Sequence, residues 1–308
     1  MPELPDIEVY VRAIQARVLG RPLRALRVAS PFVLRTVNPP PAELAGRAVA
    51  GARRLGKRIA LSFEGDLHAV VHLMVAGRFH WRATDARLAG RAALAAFDFA
   101  EGSLMLSEAA TRKRVSLHLV RGEAAVLAMD PGGIDPIGCS EAAFADALTR
   151  ENHTLKRALT DPRLFSGIGN SFSDEILHRA RLSPVTLTRR LDPQRIAALH
   201  AACRDTLVEW SERLAAQAGE GFPEKVTAFR PEMAVHGKYD QPCPVCGAPV
   251  QRIVYAGREC NYCAACQTGG KLLSDRSLAR LLREDWPRTL DELEELRASR
   301  AAQKASLA

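Results

Sequence analysis

The 308-residue sequence lacks a long apolar run and an N-terminal signal pattern. No stretch approaches the roughly 18 consecutive apolar residues that suggest a membrane-spanning helix, and the first residues do not combine the charged and apolar regions of a secretory signal. We therefore expect a cytoplasmic protein without membrane contact. Cysteine is sparse outside one interval, because five of the seven cysteines lie between Cys243 and Cys266. In a cytosolic protein such a cluster favours metal binding over disulfides.

Acidic residues are outnumbered by basic ones. The chain has 43 Lys and Arg against 35 Asp and Glu, and its pI is about 9.4. This excess favours a polyanionic partner, with nucleic acid as the leading candidate, although a ribosomal or merely basic protein would share it. The composition, 47% hydrophobic and 25% charged, is typical of a globular protein, and the length accommodates two domains and a small third module.

The first five residues, Met1-Pro2-Glu3-Leu4-Pro5, combine a candidate nucleophile with an acid. If Met1 is removed, the chain begins with a proline amine followed by a carboxylate. At about pH 7.4 roughly 30% of a terminal amine is unprotonated, against roughly 0.1% of a lysine, so this amine needs no burial to react. A secondary amine that attacks a sugar C1′ gives a cationic iminium, which favours elimination. Taken alone the motif is weak evidence, because many chains start with Met-Pro.

Hydrophobic periodicity predicts one helix followed by a β-rich region. Pro5 suits a first helical turn, Gly20 suits the end of the helix, and apolar residues recur between them at helical spacing: Ile7, Val11, Ile14 and Val18. Seven short β-rich runs follow, at 23–29, 48–54, 58–63, 68–74, 93–99, 103–106 and 115–120. Several short strands after one helix predict a sandwich-like domain with that helix packed on it.

After a Pro- and Gly-rich linker at 131–138 the pattern becomes helical. Ser140 is expected to cap a helix over 141–149. Further helices are expected to open at His153 or Thr154, after Asn170, and at Asp192 or Pro193. Beyond the cysteine cluster the sequence predicts a helical appendix, with one helix through Leu278, Leu281 and Leu282 and a second through Leu290, Leu293 and Leu296.

Cys243-Pro-Val-Cys246 and Cys263-Ala-Ala-Cys266 are two Cys-x2-Cys pairs separated by sixteen residues. This spacing predicts a tetrahedral zinc site with four thiolate ligands. Because the protein supplies all four ligands, no position is open for catalysis, and we expect one structural zinc that replaces a hydrophobic core in a small module. The hairpin between the pairs carries Arg252 and Arg258, which suit contact with a nucleic-acid backbone or groove.

Three further signals are ambiguous on their own. Lys57 lies in a run of four cations in six residues, 53–58, which indicates either a solvated face or a phosphate contact. His72 is more often a satisfied core residue than a ligand. The element Gly167-Ile-Gly-Asn170 precedes a helix, and it either presents backbone N–H groups and an amide to an anion or forms a tight turn.

Together these features resemble the formamidopyrimidine-DNA glycosylase / endonuclease VIII family of base-excision repair enzymes. The matching pieces span residues 1 to about 270: the start at 2–5, Lys57 at the head of a strand, the 167–170 element with Asp174-Glu175 after it, and the cysteine pairs. The resemblance implies an α+β multidomain protein with DNA bound in a cleft between two halves. Its expected parts are an N-terminal β-sandwich domain with a flanking helix at 1–130, the linker at 131–138, a helix-two-turn-helix domain at 139–235, a zinc-finger hairpin at 236–272 and the helical appendix at 273–308.

The same resemblance implies a bifunctional DNA glycosylase and AP lyase that acts on double-stranded DNA containing damaged bases or abasic sites. Pro2 would be the Schiff-base nucleophile and Glu3 the acid that protonates the sugar ring oxygen. Phosphates flanking the damaged nucleotide would be held by Lys57, Asn170 and Arg258. The remaining expected DNA contacts are Lys156, His72, Met74 and Arg112. We expect a monomer that associates with the nucleoid.

The chain departs from the family pattern at the residues that fill the space left by an extruded base. Family members that excise oxidised purines usually insert a Met, an Arg and a Phe there. Here 107–114 lacks that Phe, Met74 comes one position early, and 219–228, where a lesion-capping loop is expected, is short. These departures favour a broad substrate range that includes abasic sites and oxidised pyrimidines. Two alternatives stay open: an endonuclease VIII-like preference for oxidised pyrimidines and abasic sites over oxidised purines, and a non-catalytic protein that binds damaged DNA.

Overall fold

The computed structural model describes residues 1–255, 257–274 and 287–306. The chain divides into two compact units. Unit 1 comprises residues 1–138, 162–168 and 207–228, and unit 2 comprises 139–161, 169–206 and the described residues from 229 onwards. In the described part of the chain, no helix is long and apolar enough to cross a membrane.

Helix α1 (Leu4–Val18) opens unit 1 and buries one face. Pro5 lies in its first turn, where a missing N–H leaves no helical hydrogen bond unmade. Ile7, Ile14 and Val18 are buried, as their spacing predicts. The helix ends two residues before Gly20, whose φ of +72° turns the chain away from the helix axis. The predicted first helix is therefore confirmed.

Two four-stranded antiparallel sheets follow α1 in unit 1. Their strands are β1 (Ala25–Val28), β2 (Val49–Leu55), β3 (Arg58–Phe63), β4 (Leu67–His72), β5 (Gly77–Arg82), β6 (Ala93–Asp98), β7 (Ser103–Glu108) and β8 (Ser116–Arg121). One sheet has the order β1-β6-β7-β5 and the other the order β2-β3-β4-β8. All seven predicted strands are present, each with ends within two residues of the predicted ones.

Strand β5 is the one that the sequence pattern missed. Its side chains alternate between Phe79, which is fully buried, and the partly exposed Arg78 and His80. Such alternation is typical of a strand with one face towards the core. Three basic residues in six positions concealed it, because charged residues are uncommon in strands.

The core of unit 1 draws on both sheets and on α1. Phe63 of β3, Phe97 of β6 and Leu104 of β7 belong to one buried cluster with Tyr10 and Ile14 of α1. The two inner sheet faces and the apolar face of the helix thus share a single core. This arrangement confirms the predicted β-sandwich with a flanking helix. A short helix, α2 (Glu123–Leu127), follows β8.

Helices dominate the first part of unit 2. They are α3 (Glu141–Thr149), α4 (Leu155–Thr160), α5 (Asn170–Arg179) and α6 (Pro193–Ala218), of which α6 belongs to unit 2 only up to Thr206. Ser140 caps α3 as predicted, since its Oγ accepts a hydrogen bond from the backbone N–H of Ala143 at 3.2 Å. Thr154 is the N-cap residue of α4.

The remainder of unit 2 is a hairpin with helices after it. Strands β9 (Val250–Tyr255) and β10 (Arg258–Cys263) pair antiparallel, and α7 (Ala264–Thr268) follows at once. Helix α8 (Leu290–Ser306) confirms the second predicted helix of the appendix, and Leu290 and Leu293 pack against Tyr262 and Leu272. The first predicted helix of the appendix, through Leu278, Leu281 and Leu282, lies outside the described residues.

Candidate active site and nucleic-acid interface

Glu3 is held in place as the N-cap residue of α1. Its side chain accepts a hydrogen bond from the backbone N–H of Asp6, and its own backbone N–H donates to Asp6 Oδ2 at 2.8 Å. This reciprocal capping box satisfies helix-terminal donors. Only 2% of Glu3 is exposed, and Pro2 is buried beside it. The start of the chain is therefore ordered, with a carboxyl group directly after Pro2.

The residue after Glu3 ties this start to residues 162–168 of unit 1. The backbone N–H of Leu4 donates to the carbonyl oxygen of Gly167 at 2.9 Å. Gly167 has a φ of +84°, and a Cβ atom on it would lie 2.8 Å from Leu4 Cβ. Glycine is required here both for the left-handed backbone and for the close approach. Gly167 therefore positions the N-terminus.

The terminal amine lies where its neutral form is favoured. In this structure the amine belongs to Met1, and it stands in for the amine that Pro2 presents once Met1 is removed. Burial lowers the pKa of the amine; the charges of Arg78 and Lys57 lower it further, whereas those of Glu3 and Asp6 oppose the shift. A neutral amine is the nucleophilic form.

Lys57 and His72 lie at the same edge of the β2-β3-β4-β8 sheet. Gly56 and Lys57 form the turn between β2 and β3, and Arg58 at the start of β3 is directly opposite His72 at the end of β4. Burial lowers the pKa of His72 to about 4, assisted by the charges of Arg58 and Lys57. His72 is therefore neutral near pH 7, and the positive charge of this edge comes from its neighbours.

Met74 and Arg112 occupy loops of unit 1. Met74 follows β4 with a φ of +54°, a conformation that few non-glycine residues adopt, and it is half-buried. The next residue, Val75, is 61% exposed. Arg112 is exposed in the loop after β7, which Glu108 closes by accepting the backbone N–H of Arg114 at 2.8 Å. Val75 and Arg112 thus offer more accessible side chains than Met74.

Lys156 is fixed against helix α5 within unit 2. Its Nζ donates to the carbonyl oxygen of Asn170 and to Asp174 Oδ1, each at 2.6 Å. Asp174 is buried and also accepts a hydrogen bond from His236 Nδ1 at 2.8 Å. The ammonium has three donors and these bonds use two. Lys156, of which 16% of the side chain is exposed, therefore keeps a donor for an anion.

Asn170 and Arg258 are brought together by the zinc-finger hairpin. Asn170 is the first residue of α5, and its Nδ2 donates to the carbonyl oxygen of Glu259 at 2.7 Å. Arg258 precedes Glu259 in β10 and is exposed. Because Lys156 bonds the carbonyl of Asn170, the three expected DNA contacts of unit 2 form one group.

Arg252 is engaged within the hairpin, where its Nη1 lies 3.6 Å from Oε2 of Glu259. It pairs with Asn261 in the middle of the hairpin rather than at its tip. Its guanidinium carbon is 4.1 Å from the centroid of the Tyr239 ring, which is a cation–π geometry. Arg252 is thus engaged inside the module, and Arg258 is the arginine nearer the tip.

The four predicted zinc ligands form one cluster. The sulfur atoms of Cys243, Cys246, Cys263 and Cys266 all lie within 4.8 Å of one another. The separation is 3.4 Å for the pair Cys246 and Cys263 and 4.0 Å for the pair Cys243 and Cys266. Thiolates about 2.3 Å from a tetrahedral zinc ion lie about 3.8 Å apart. These residues therefore fit a structural zinc ion whose four positions are all filled by the protein.

Two neighbours of the cluster have different roles. His178 Nε2 is 3.2 Å from Cys243 Sγ, so α5 supplies a hydrogen bond to a predicted zinc ligand. Cys260 is not part of the cluster. Burial raises the pKa of the Cys260 thiol, and the charge of Asp174 raises it further. The four-sulfur group comprises Cys243, Cys246, Cys263 and Cys266, and Cys260 lies outside it.

Sequence reasoning assigned no role to two residues that organise these sites. Glu175 accepts hydrogen bonds from three successive backbone N–H groups at 234–236, at 2.8–2.9 Å. Arg54 donates to Glu8 Oε1 of α1 at 2.7 Å and to Ser166 Oγ at 3.0 Å. The sequence feature that could have identified Glu175 as an organising residue is its position shortly after the 167–170 element. No sequence signal separated Arg54 from the cations beside it.

Three family models match successive parts of the chain. The formamidopyrimidine-DNA glycosylase N-terminal domain matches residues 1–119, and the formamidopyrimidine-DNA glycosylase H2TH domain matches residues 130–216. The zinc finger found in FPG and IleRS matches residues 240–269. The predicted appendix lies beyond the last match.

Individual relatives agree with these models. The formamidopyrimidine-DNA glycosylase of Thermus thermophilus is 34% identical over 283 residues, which cover 88% of this chain and 100% of the relative. Two structures of the Lactococcus lactis protein are each 25% identical and cover 86% of this chain. The complex with a FAPY-dG containing DNA has a TM-score of 0.77 and is covered over 100% of its length. The complex with an AP site containing DNA has a TM-score of 0.76 and is covered over 99%.

Proposed function

The chain belongs to the formamidopyrimidine-DNA glycosylase family and is a DNA glycosylase of base-excision repair, and on this premise we propose that the amine of Pro2 is its nucleophile. The observation that carries the proposal is the capped and buried chain start. Glu3 follows Pro2 at 2% exposure, and Leu4 is bonded to Gly167. An amine held in this way has a defined direction of attack, and burial lowers the pKa of the Met1 amine that occupies the chain start in this structure.

The reaction that we propose begins with attack of the neutral Pro2 nitrogen on C1′ of the damaged nucleotide. The bond from C1′ to the base breaks, and the base leaves with the bonding electrons and takes up the proton that the Pro2 nitrogen loses. Glu3 donates a proton to the ring oxygen as the sugar opens, which gives a cationic iminium between Pro2 and C1′. Loss of a C2′ proton then expels the 3′ phosphate by β-elimination, and a second elimination expels the 5′ phosphate. Glycosylase and AP lyase activities thus come from one amine.

Cationic and amide groups of each unit are proposed to bind the phosphates of the same DNA. In unit 1 the proposed phosphate-binding residue is Lys57. In unit 2 they are Lys156, Asn170 and Arg258, whose grouping around the start of α5 supports a shared anion site. Extruding a nucleotide costs a few kcal/mol, and phosphate contacts formed on the bent backbone offset that cost. His72, Met74 and Arg112 are the further proposed contacts in unit 1.

A single structural zinc ion is proposed for the four-cysteine cluster. When bound, zinc would crosslink the ends of the β9–β10 hairpin and α7, and it would take no part in the reaction because the protein fills its coordination sphere. Asn170 is bonded to Glu259 of this hairpin. Zinc would therefore hold Arg258 close to the start of α5.

The proposed substrates are duplexes that contain formamidopyrimidine-type lesions or abasic sites. The two Lactococcus lactis complexes contain those two kinds of DNA, which supports the assignment. Neither alternative is favoured: the relatives are named as formamidopyrimidine-DNA glycosylases, and a protein that only binds damaged DNA has no need of an ordered amine beside an acid.

Borohydride trapping tests this function. Borohydride reduces the iminium, so wild-type protein with a free Pro2 should become covalently attached to an abasic-site duplex and to a duplex carrying a formamidopyrimidine base. Protein with an N-terminal extension should bind both duplexes without attachment. Normal trapping by protein whose N-terminus is shown by mass spectrometry to be blocked would rule out Pro2 as the nucleophile.

A further inference from the structure

The β9–β10 hairpin of unit 2 carries different groups on its two faces. Tyr262 and Cys263 are successive residues of β10, so their side chains point to opposite faces of the strand pair. Cys263 belongs to a buried cluster with Cys243 and Val250. Tyr262 is 1% exposed and belongs to a separate cluster with Leu272. The hairpin therefore has a sulfur face, where the proposed zinc binds, and an apolar face.

Helix α8 covers the apolar face of the hairpin. Leu290 and Leu293 lie about one helical turn apart and pack against Tyr262 and Leu272. The chain just before the helix is bonded at the same place, because the backbone N–H of Leu272 donates to the carbonyl oxygen of Arg288 at 2.8 Å. Apolar contacts and a backbone hydrogen bond thus join α8 to β10 and to the segment that follows α7.

A capping motif fixes the start of α8. Thr289 Oγ1 accepts a hydrogen bond from the backbone N–H of Glu292 at 3.2 Å, and Glu292 Oε2 accepts one from the backbone N–H of Arg288 at 2.6 Å. A Thr three residues before a Glu is the sequence pattern of a capping box. The first turn of α8 is therefore ordered by residues of its own segment.

The later part of α8 contacts the chain on the other side of the cysteine cluster. Arg297 Nη1 lies 2.7 Å from Asp240 Oδ1. The backbone N–H of Asp240 donates to the carbonyl oxygen of Val250 at the start of β9, at 2.9 Å. Asp240 lies three residues before Cys243. Helix α8 therefore contacts both the chain that enters the four-cysteine cluster and the chain that leaves it.

We propose that α8 is a metal-independent clasp that holds the β9–β10 hairpin folded and so keeps Arg258 available to a phosphate. Zinc on the sulfur face would join the same two chain ends that α8 joins from the apolar face. The clasp rests on the proposed function in one respect, the phosphate contact of Arg258. Helix α8 lies beyond the last family match, which ends at residue 269, so the clasp belongs to a part of this chain that the family models do not cover.

The clasp should matter most when zinc is lost. A small zinc module with no other source of stability unfolds without its metal, because metal binding supplies its folding free energy. Here the contacts of Leu290 and Leu293 with Tyr262 bury apolar surface whether or not a metal is bound. The hairpin should therefore stay folded without zinc as long as α8 is docked. It should also release zinc more slowly, because the two joints oppose the same opening.

The test uses full-length, zinc-containing protein carrying either the double substitution Leu290→Ala/Leu293→Ala or Arg297→Met. Alanine removes the apolar contacts and favours the helix. Leu296→Ala is the matched control for the leucines, because Leu296 is half-buried on α8 but outside the apolar cluster. Arg213→Met is the matched control for the arginine, since Arg213 also pairs with a carboxylate from a helix, at 36% exposure against 40% for Arg297.

Three quantities are measured for each protein. The first is the rate of zinc transfer to a chelator. The second is hydrogen exchange of β9 and β10 before and after a chelator has removed the zinc. The third is the affinity for an abasic duplex, with and without the additional substitution Arg258→Met.

We expect the double leucine variant to release zinc at least about tenfold faster than wild type, because large-to-small changes remove contacts that hold the hairpin closed. Arg297→Met should release zinc at most about fivefold faster, the scale of an exposed ion pair. After zinc removal, β9 and β10 should stay protected from exchange in wild type and both controls and lose protection in the double variant. Exchange of the β2-β3-β4-β8 sheet should not change, because the clasp acts only on the hairpin.

The DNA measurement links the clasp to Arg258. Arg258→Met should weaken binding of the abasic duplex by zinc-containing wild type. It should have no further effect on the zinc-free double variant, because an open hairpin no longer presents this arginine. If Arg258→Met leaves the affinity of zinc-containing wild type unchanged, the proposed phosphate contact is overturned, while zinc transfer and exchange still decide the clasp.

Two results would refute the clasp. One is zinc release by the double leucine variant at the rate of its control. The other is exchange of β9 and β10 in zinc-free wild type as fast as in the zinc-free double variant, because α8 would then depend on the metal-bound hairpin instead of holding it. Wild-type protein that contains no zinc would overturn the metal site, and the same exchange comparison would still test the clasp.

Discussion

Replacing Glu3 with Gln would separate the action of its carboxyl group as an acid from its action as a helix cap. Glutamine retains an oxygen that can accept the hydrogen bond from the backbone N–H of Asp6. The free energy of unfolding should therefore fall by about 0.5 kcal/mol, near the low end of the range for replacing an N-cap residue. The melting temperature should fall by only about 1–2 °C. A positioned general acid contributes about 10²–10⁴-fold, which corresponds to roughly 2.7–5.4 kcal/mol of transition-state stabilisation. The catalytic effect should therefore far exceed the structural one.

The assay compares single-turnover base excision with trapping on a preformed abasic site. Glu3→Gln should lose excision by about 10²–10⁴-fold and lose much less trapping, because protonation of the ring oxygen is needed most while the base is attached. Asp6→Asn is the matched control, since it removes one carboxylate from the same capping box and leaves Glu3 intact. If Glu3→Gln loses both activities equally, or loses no more than Asp6→Asn, then Glu3 only orders the chain start.

Three further predictions concern other parts of the molecule. Metal analysis of Cys260→Ser should still find one zinc per chain, because this thiol lies outside the four-sulfur cluster; zinc-free protein would overturn the ligand set. His178→Gln should weaken zinc binding about 10- to 100-fold, the usual cost of losing a hydrogen bond to a metal ligand, measured as faster zinc transfer to a chelator; an unchanged rate would show that the contact with Cys243 is incidental. The pKa of His72 is lowered in the folded state, to about 4, so the stability associated with its neutral form is fully present above the unfolded pKa near 6.5 and is lost as pH falls towards 4. The free energy of unfolding of His72→Gln should therefore fall by about 1 kcal/mol less than that of wild type between pH 7 and 5.5. Chemical denaturation at the two pH values measures this difference, and equal falls in both proteins would contradict the assignment.

Features that depend on residues close together in the chain could be predicted from the sequence. The spacing of Cys243, Cys246, Cys263 and Cys266 indicated a four-sulfur site, and the structure places those sulfurs within 4.8 Å of one another. The apolar period after Pro5 and the cap at Ser140 marked two helices correctly. Seven of the eight strands of the sandwich were visible as short β-rich runs, and the family followed from motifs at the two ends of the matched region.

Contacts between distant residues were decided only by the tertiary structure. Leu4 bonds Gly167, Arg78 bonds Val226, and Asn170 bonds Glu259. Each of these pairs is separated by 89 to 163 residues, as the residue numbers show. No local period links such residues, because their meeting depends on how strands and helices pack. The roles assigned to Pro2 and to the phosphate contacts stay predictions until they are measured.

The sequence by itself therefore determined most helices, most strands, the four-cysteine cluster and the family, because periodicity, capping and ligand spacing act over a few residues and leave a local pattern. The tertiary structure decided which polar groups organise the site. Asp174 and Glu175 each accept hydrogen bonds from residues that lie 59 to 62 positions further along the chain, at 234–236. Buried carboxylates need such hydrogen bonds, but which donors supply them is settled only when the chain folds back on itself.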